Sequence, residues 1–100
     1  MAIAKIVVAD VVHGEGEAAD ALADLKAAAA SEWLGARYPE AEICADVAIY
    51  KGRGPERPPE LFAYDENEAL DEALSRALQV ELAAHLADIA RERRAAGTAP

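Results

Sequence analysis

Residues 2–12 read AIAKIVVADVV, and this stretch decides the fold class. Ile6, Val7, Val8, Val11 and Val12 are β-branched, which suits a pleated strand. Ile3, Val7, Ala9 and Val11 fall on one strand face, and Ile6, Val8 and Val12 on the other. A strand that is apolar on both faces reads as a central strand covered on both sides. Asp10 is the one residue out of pattern. His13-Gly14-Glu15-Gly16 ends the run as a glycine-punctuated turn.

A helix is predicted next, over about residues 15–38. Glu15, Glu17 and Asp20 crowd its first turns, where the helix dipole favours negative charge. Ala18, Leu22, Leu25, Ala29 and Trp33 recur at spacings of three and four and predict its buried face. Ala27 to Ala30 favour helix and admit a close-packed neighbour. Pro39 stops it. Residues 41–51 alternate strictly, with Ala41, Ile43, Ala45, Val47 and Ile49 apolar, and predict a second strand with one buried face. Residues 52–60 hold two Gly and three Pro, which no helix or central strand accepts. Residues 61–64 then form a short third strand, predicted to return antiparallel to the second.

Asp65 reads as the N-cap of a last helix, with Glu68 completing a capping-box-like pair. Leu70, Leu74, Leu78, Leu82, Leu86 and Ile89 carry that helix to about Arg94, a length of roughly 43 Å. Residues 1–94 thus form one α/β domain, and residues 95–100 a flexible tail. The order is β-α-β-β-α: a two-layer sandwich, a three-stranded mixed sheet covered by two helices, the second one long. Such a chain leaves one face of its first strand bare. A homodimer is therefore expected, with the sheets or the overhanging last helices packed together and Leu82, Leu86 and Ile89 of the long helix at the interface.

Composition narrows the function classes. Of 100 residues 26 are Ala, so the core is thin despite 53% apolar content. A net charge of -9 argues against direct binding to nucleic acid or to an anionic membrane surface. One cysteine excludes an internal disulfide, and no apolar run is long enough to span a bilayer. No signal peptide is evident, so a cytoplasmic location is expected. No cofactor motif, metal-ligand set or catalytic triad stands out. Cys44 has carboxylates as same-face neighbours, which oppose a reactive thiolate. His85 reads as a surface or interface histidine. Ser31 and Ser75 lie in helices without a nucleophile elbow.

Three features remain. His13 lies near Asp10, Glu15 and Glu17, a grouping that matches no metal spacing and that strand and helix ends explain. Arg53 and Arg57, with Lys51, make the one basic cluster before the C-terminus, in a loop suited to partner or anion contacts. The third feature is acidity. Six carboxylates and no base fall between Glu60 and Glu72. Asp65, Glu66, Glu68, Asp71 and Glu72, with Glu15, Glu17, Asp20 and Asp24, form the expected partner-binding face. Carboxylates keep small proteins soluble. A face of them can also occupy a basic groove by imitating phosphates. The expected function is a non-enzymatic acidic interaction module, most concretely an inhibitor of a basic nucleic-acid-binding protein. DNA-mimic inhibitors, anti-CRISPR proteins among them, share this size and charge. That likeness is one of composition and rests on no motif. The alternatives are a dimeric domain binding an anionic metabolite through Arg53, Arg57 and His13, an accessory enzyme using His13 and Asp10, and a structural dimer.

Overall fold

A computed structural model describes the backbone of residues 2–55 and 57–98, with side chains through residue 92. The order is β1 (Ile3–His13), α1 (Glu17–Arg37), β2 (Glu42–Tyr50), β3 (Glu60–Asp65) and α2 (Glu72–Thr98). The fold is the expected α/β sandwich, with a three-stranded mixed sheet and a long C-terminal helix. β1 lies in the middle, and the sheet runs β2-β1-β3. β1 and β2 are parallel, from Lys5 opposite Glu42 to His13 opposite Tyr50. β3 pairs antiparallel with β1, with Ala63 opposite Ile6 and Leu61 opposite Val8. The expected β2–β3 pairing is therefore corrected: the two strands lie on opposite edges. Nine residues separate them, more than a tight hairpin uses, and that length lets the chain cross the end of β1.

Both helices cover the same face of the sheet. Ile6, Val8 and Val12 are buried beneath them with Leu34, Leu61, Ala63, Leu78 and Leu82. On α1 the face against the sheet is Ala19, Ala23, Ala30 and Leu34, with Ala29 beside it. The expected face was one residue out of step. Ala18 is exposed, and Leu22, Leu25 and Trp33 are half-buried. The reason is steric. Alanines let the helix lie close on the strands, and the larger side chains flank the contact rather than sit under it.

α2 begins at Glu72, seven residues after the expected cap. Asp65 caps a turn instead: its Oδ1 accepts hydrogen bonds from the N–H groups of Asn67 at 2.8 Å and Ala69 at 3.1 Å. Glu68, expected in a capping box, sits in that turn with φ 62°. The true helix cap is Asp71, whose Oδ1 accepts from the Leu74 N–H at 3.0 Å. At the other end α2 continues to Thr98, so residues 95–98 of the expected tail are helical. Residues 99 and 100 lie outside the described residues. Leu82 and Leu86, expected at a dimer interface, are 0% and 6% exposed inside the chain's own core, and Ile89 packs against them. Their spacing is a core stripe, because this face of β1 and β3 needs that cover.

Ser75 ties α2 to β3. Its Oγ accepts from the Ala63 N–H at 2.9 Å and donates to the Asp71 carbonyl at 2.6 Å. The Asp71 N–H returns a bond to the Ala63 carbonyl at 2.9 Å. These bonds satisfy the outer edge of β3 that β1 leaves unpaired. Ser75→Ala should strip a buried N–H of its partner and lower stability by about 1–3 kcal/mol. Urea unfolding reads this directly; an unchanged midpoint would contradict it.

Candidate functional site

The strand pairing gathers side chains at two places. The first is the end of β1 where α1 begins. The Gly14 N–H donates to the Tyr50 carbonyl at 2.9 Å, which extends the β1–β2 pair by one rung. His13 and Tyr50 are register partners, and their ring centroids are 6.0 Å apart at 31°. The crossing loop, residues 51–59, passes over them. Gly52 takes φ 89°, a conformation suited to glycine. Gly54 lies against the imidazole: a Cβ there would stand 2.2 Å from His13 Cε1. Pro59 is buried where the loop enters β3. Val11, His13, Tyr50, Pro55 and Arg57 line a cleft of about 300 Å³. His13 and Arg57 are thus brought together, whereas Arg53 is exposed and does not line the cleft. Tyr50 was missed at the sequence level, whereas Gly54 belongs to the loop already singled out for anion contacts. The signal for Tyr50 was its place opposite the end of β1, which requires the register to be known.

The second place is the buried face of β1. Asp10 is 6% exposed among apolar neighbours. Lys26 of α1 places Nζ 3.4 Å from Asp10 Oδ2, and the two side chains are 23% and 2% exposed. Oδ1 accepts from the Val11 N–H at 2.7 Å, while Oδ2 has no hydrogen-bond partner. Lys26 sits on the alanine face of α1, in line between Ala23 and Ala30, so the cation is delivered by helix periodicity. Asp10 and His13 do not meet. Three residues apart on a strand, they point to opposite faces of the sheet. The expected His13–Asp10 pairing for an accessory enzyme is corrected on that ground.

The acidic residues do not form one face either. The register sets Asp65 opposite Ile3 at the start of β1, and α1 starts beyond His13 at its end. Asp65, Glu66, Glu68, Asp71 and Glu72 therefore gather at one end of the sheet. Glu15, Glu17, Asp20 and Asp24 belong to the other end and the first half of α1. About 30 Å of strand lies between the two groups. Within the first group Asp65 and Asp71 are engaged as caps, which leaves Glu66, Glu68 and Glu72 exposed and unpaired among the described residues.

Other candidates carry less chemistry. A hollow of about 450 Å³ at the acidic end is lined by Ile3, Arg37, Tyr38, Asp71 and Leu74, among others. Of its charged groups, Asp71 caps α2, the Arg37 guanidinium lies 3.7 Å from the Trp33 ring centroid, and Glu40 is exposed. His85 stacks on Trp33 at 5.9 Å and so belongs to the α1–α2 contact. Cys44 is a free, half-buried thiol opposite Val7. Among the described residues no group of three His, Cys, Asp or Glu is placed to hold a metal ion. No described helix is long and apolar enough to cross a membrane. Comparison with family models, with curated proteins and with solved structures found no match.

Removing Lys26 should expose the cost of the buried carboxylate. Lys26→Met is expected to lose about 2–4 kcal/mol, because a buried charge keeps no cation. Adding Asp10→Asn should recover part of that loss. Urea unfolding of the single and double variants measures both, and full stability in Lys26→Met alone would contradict the pairing.

Proposed function

We propose that this chain is a non-enzymatic protein-interaction module, in its most concrete form a small inhibitor that occupies a basic nucleic-acid-binding protein. The observation that carries the reading is the β3–α2 turn. Its backbone is pinned by the Asp65 and Asp71 caps, and Glu66, Glu68 and Glu72 stand exposed on it. Carboxylates on a fixed turn lose less entropy on binding than carboxylates on a mobile tail. No lysine or arginine occurs between Glu60 and Glu72, and among the described residues none forms an ion pair with these three glutamates.

Charge density limits how far the imitation of a duplex extends. The molecule is 49 Å long and carries a net charge of -9. A duplex of that length carries about 29 phosphates. The chain therefore cannot stand in for a whole duplex. It can present a short acidic stretch to a basic groove, and the turn is that stretch.

The test is capture from a host lysate at low and moderate salt, followed by competition. The expected partner is itself a nucleic-acid-binding protein, is released as salt rises, and is displaced by added DNA or RNA. Charge reversal by Glu66→Lys, Glu68→Lys and Glu72→Lys together should abolish capture while the fold persists. A partner held equally by the reversed variant, or untouched by nucleic acid, would overturn the reading.

We also propose that the module is a homodimer, with the uncovered sheet face as the surface available for a second copy. That face carries Val7, Cys44 and Phe62 half-buried, with Asp46 and Glu60 exposed on either side of Ala9, and stops short of Val11, which lines the His13 cleft. Light scattering should give twice the chain mass of 10.6 kDa, and a single-chain mass at high concentration would contradict this.

A further inference from the structure

We infer that the cleft formed by His13, Tyr50 and Arg57 is a binding site for a small organic anion: a carboxylate or phosphate group carried on a planar body. The inference does not rest on the acidic turn, which lies at the other end of the sheet.

The charge distribution comes first. The chain has 10 Lys and Arg in all, and three of them, Lys51, Arg53 and Arg57, fall in one seven-residue stretch. Of these, Arg57 lines the cleft, and it makes no ion pair among the described residues. Among the described residues, none that lines the cleft is acidic. A guanidinium offers a planar fork of donors that matches a carboxylate or a phosphate. The exposed Glu15 and Glu17 stand at the same end of the sheet but do not line the cleft, and the acidic turn at the far end is beyond a Debye length of about 8 Å.

The walls come second. Two rings, His13 and Tyr50, stand beside the cation, and Val11 and Pro55 complete an apolar surround. Imidazole and phenol each supply a polar atom as well as a ring face. The volume of about 300 Å³ fits one ring and its acidic group, and sits at the small end of ligand pockets.

The roof comes third. Gly54 rests on the imidazole so closely that a Cβ there would push the exposed ring or the loop aside. The loop that brings Arg57 is therefore seated on the same ring that walls the cleft. Part of the ordering needed for binding is already in place before a ligand arrives.

The experiment is an amide and imidazole NMR titration of the full chain at fixed ionic strength. The probes are phenyl phosphate, benzoate, inorganic phosphate and neutral benzyl alcohol. Phenyl phosphate or benzoate should give saturable shifts at His13, Gly14, Gly52 and Gly54. Inorganic phosphate should bind more weakly, and benzyl alcohol not measurably. Arg57→Gln should weaken the bound anion about tenfold, the loss of one bidentate contact. Tyr50→Leu should remove the advantage of phenyl phosphate over inorganic phosphate. Gly54→Ala should displace the His13 ring or the loop from the cleft and weaken binding although Arg57 and Tyr50 are unchanged in sequence. The variant reversed at Glu66, Glu68 and Glu72 should bind the probes unchanged. Shifts that do not saturate, equal binding of inorganic phosphate, or full affinity in Arg57→Gln would overturn the inference.

Discussion

Among the described residues β1 is the only strand with a neighbour on each side, and its two pairings set where every other element goes. Parallel pairing with β2 requires a crossover, and α1 supplies it on the covered face. Antiparallel pairing with β3 places that strand on the far edge. The chain leaving β2 must then pass over the end of β1 before β3 can start. Edge to edge the gap is about 10 Å, two strand spacings. The crossing loop, with its glycines and prolines, lands on His13 because His13 is the last residue of the strand it has to pass. The cleft at that end is thus a consequence of strand order.

The same pairing explains why so alanine-rich a chain holds together. The helix face of β1 offers valines, isoleucine and one carboxylate. α1 answers with small residues at Ala19, Ala23 and Ala30, a lysine in line with them, and Leu34. Close approach replaces bulk: alanines bring the helix backbone near the strands, and the flanking Leu22, Leu25 and Trp33 close the sides. α2 supplies the larger leucines over β3. Asp10 is tolerated in that interior because Lys26 reaches it from the same helix face.

Much of this was legible in the residues. Alternation in residues 41–51 marked β2 and its core-facing side, although Ile43, Ala45 and Val47 are only half-buried there and Ile49 is exposed, and the doubly apolar run marked β1 as central. Pro39 and the Pro-rich loop set boundaries to within a residue or two. The separation of Asp10 from His13 was legible too, since a three-residue step along a strand changes face. Sheet order was not, because no local signal in residues 60–65 distinguishes β1 from β2 as the partner. The α1 face was misplaced because apolarity alone ranks leucine and tryptophan above alanine, whereas close packing favours alanine. The start of α2 was misplaced because Asp65 and Asp71 are equally good caps by type. Only the turn geometry, with Glu68 at positive φ, assigns Asp71 to the helix. Gathering the acidic residues into one face failed for a related reason: charge counts carry no information about which end of a sheet a residue occupies.

The two ends of the molecule consequently differ in chemistry. One presents exposed glutamates on a capped turn, and the other a cation and two rings under a loop, beside the carboxylates that open α1. Both proposals depend on β1 lying between β2 and β3. Cross-strand proton contacts measured by solution NMR test that placement most directly. The account predicts that Val7 contacts both Cys44 and Phe62, and that His13 contacts Gly54. Contacts between β2 and β3 in place of those from Val7 to Phe62 would contradict it.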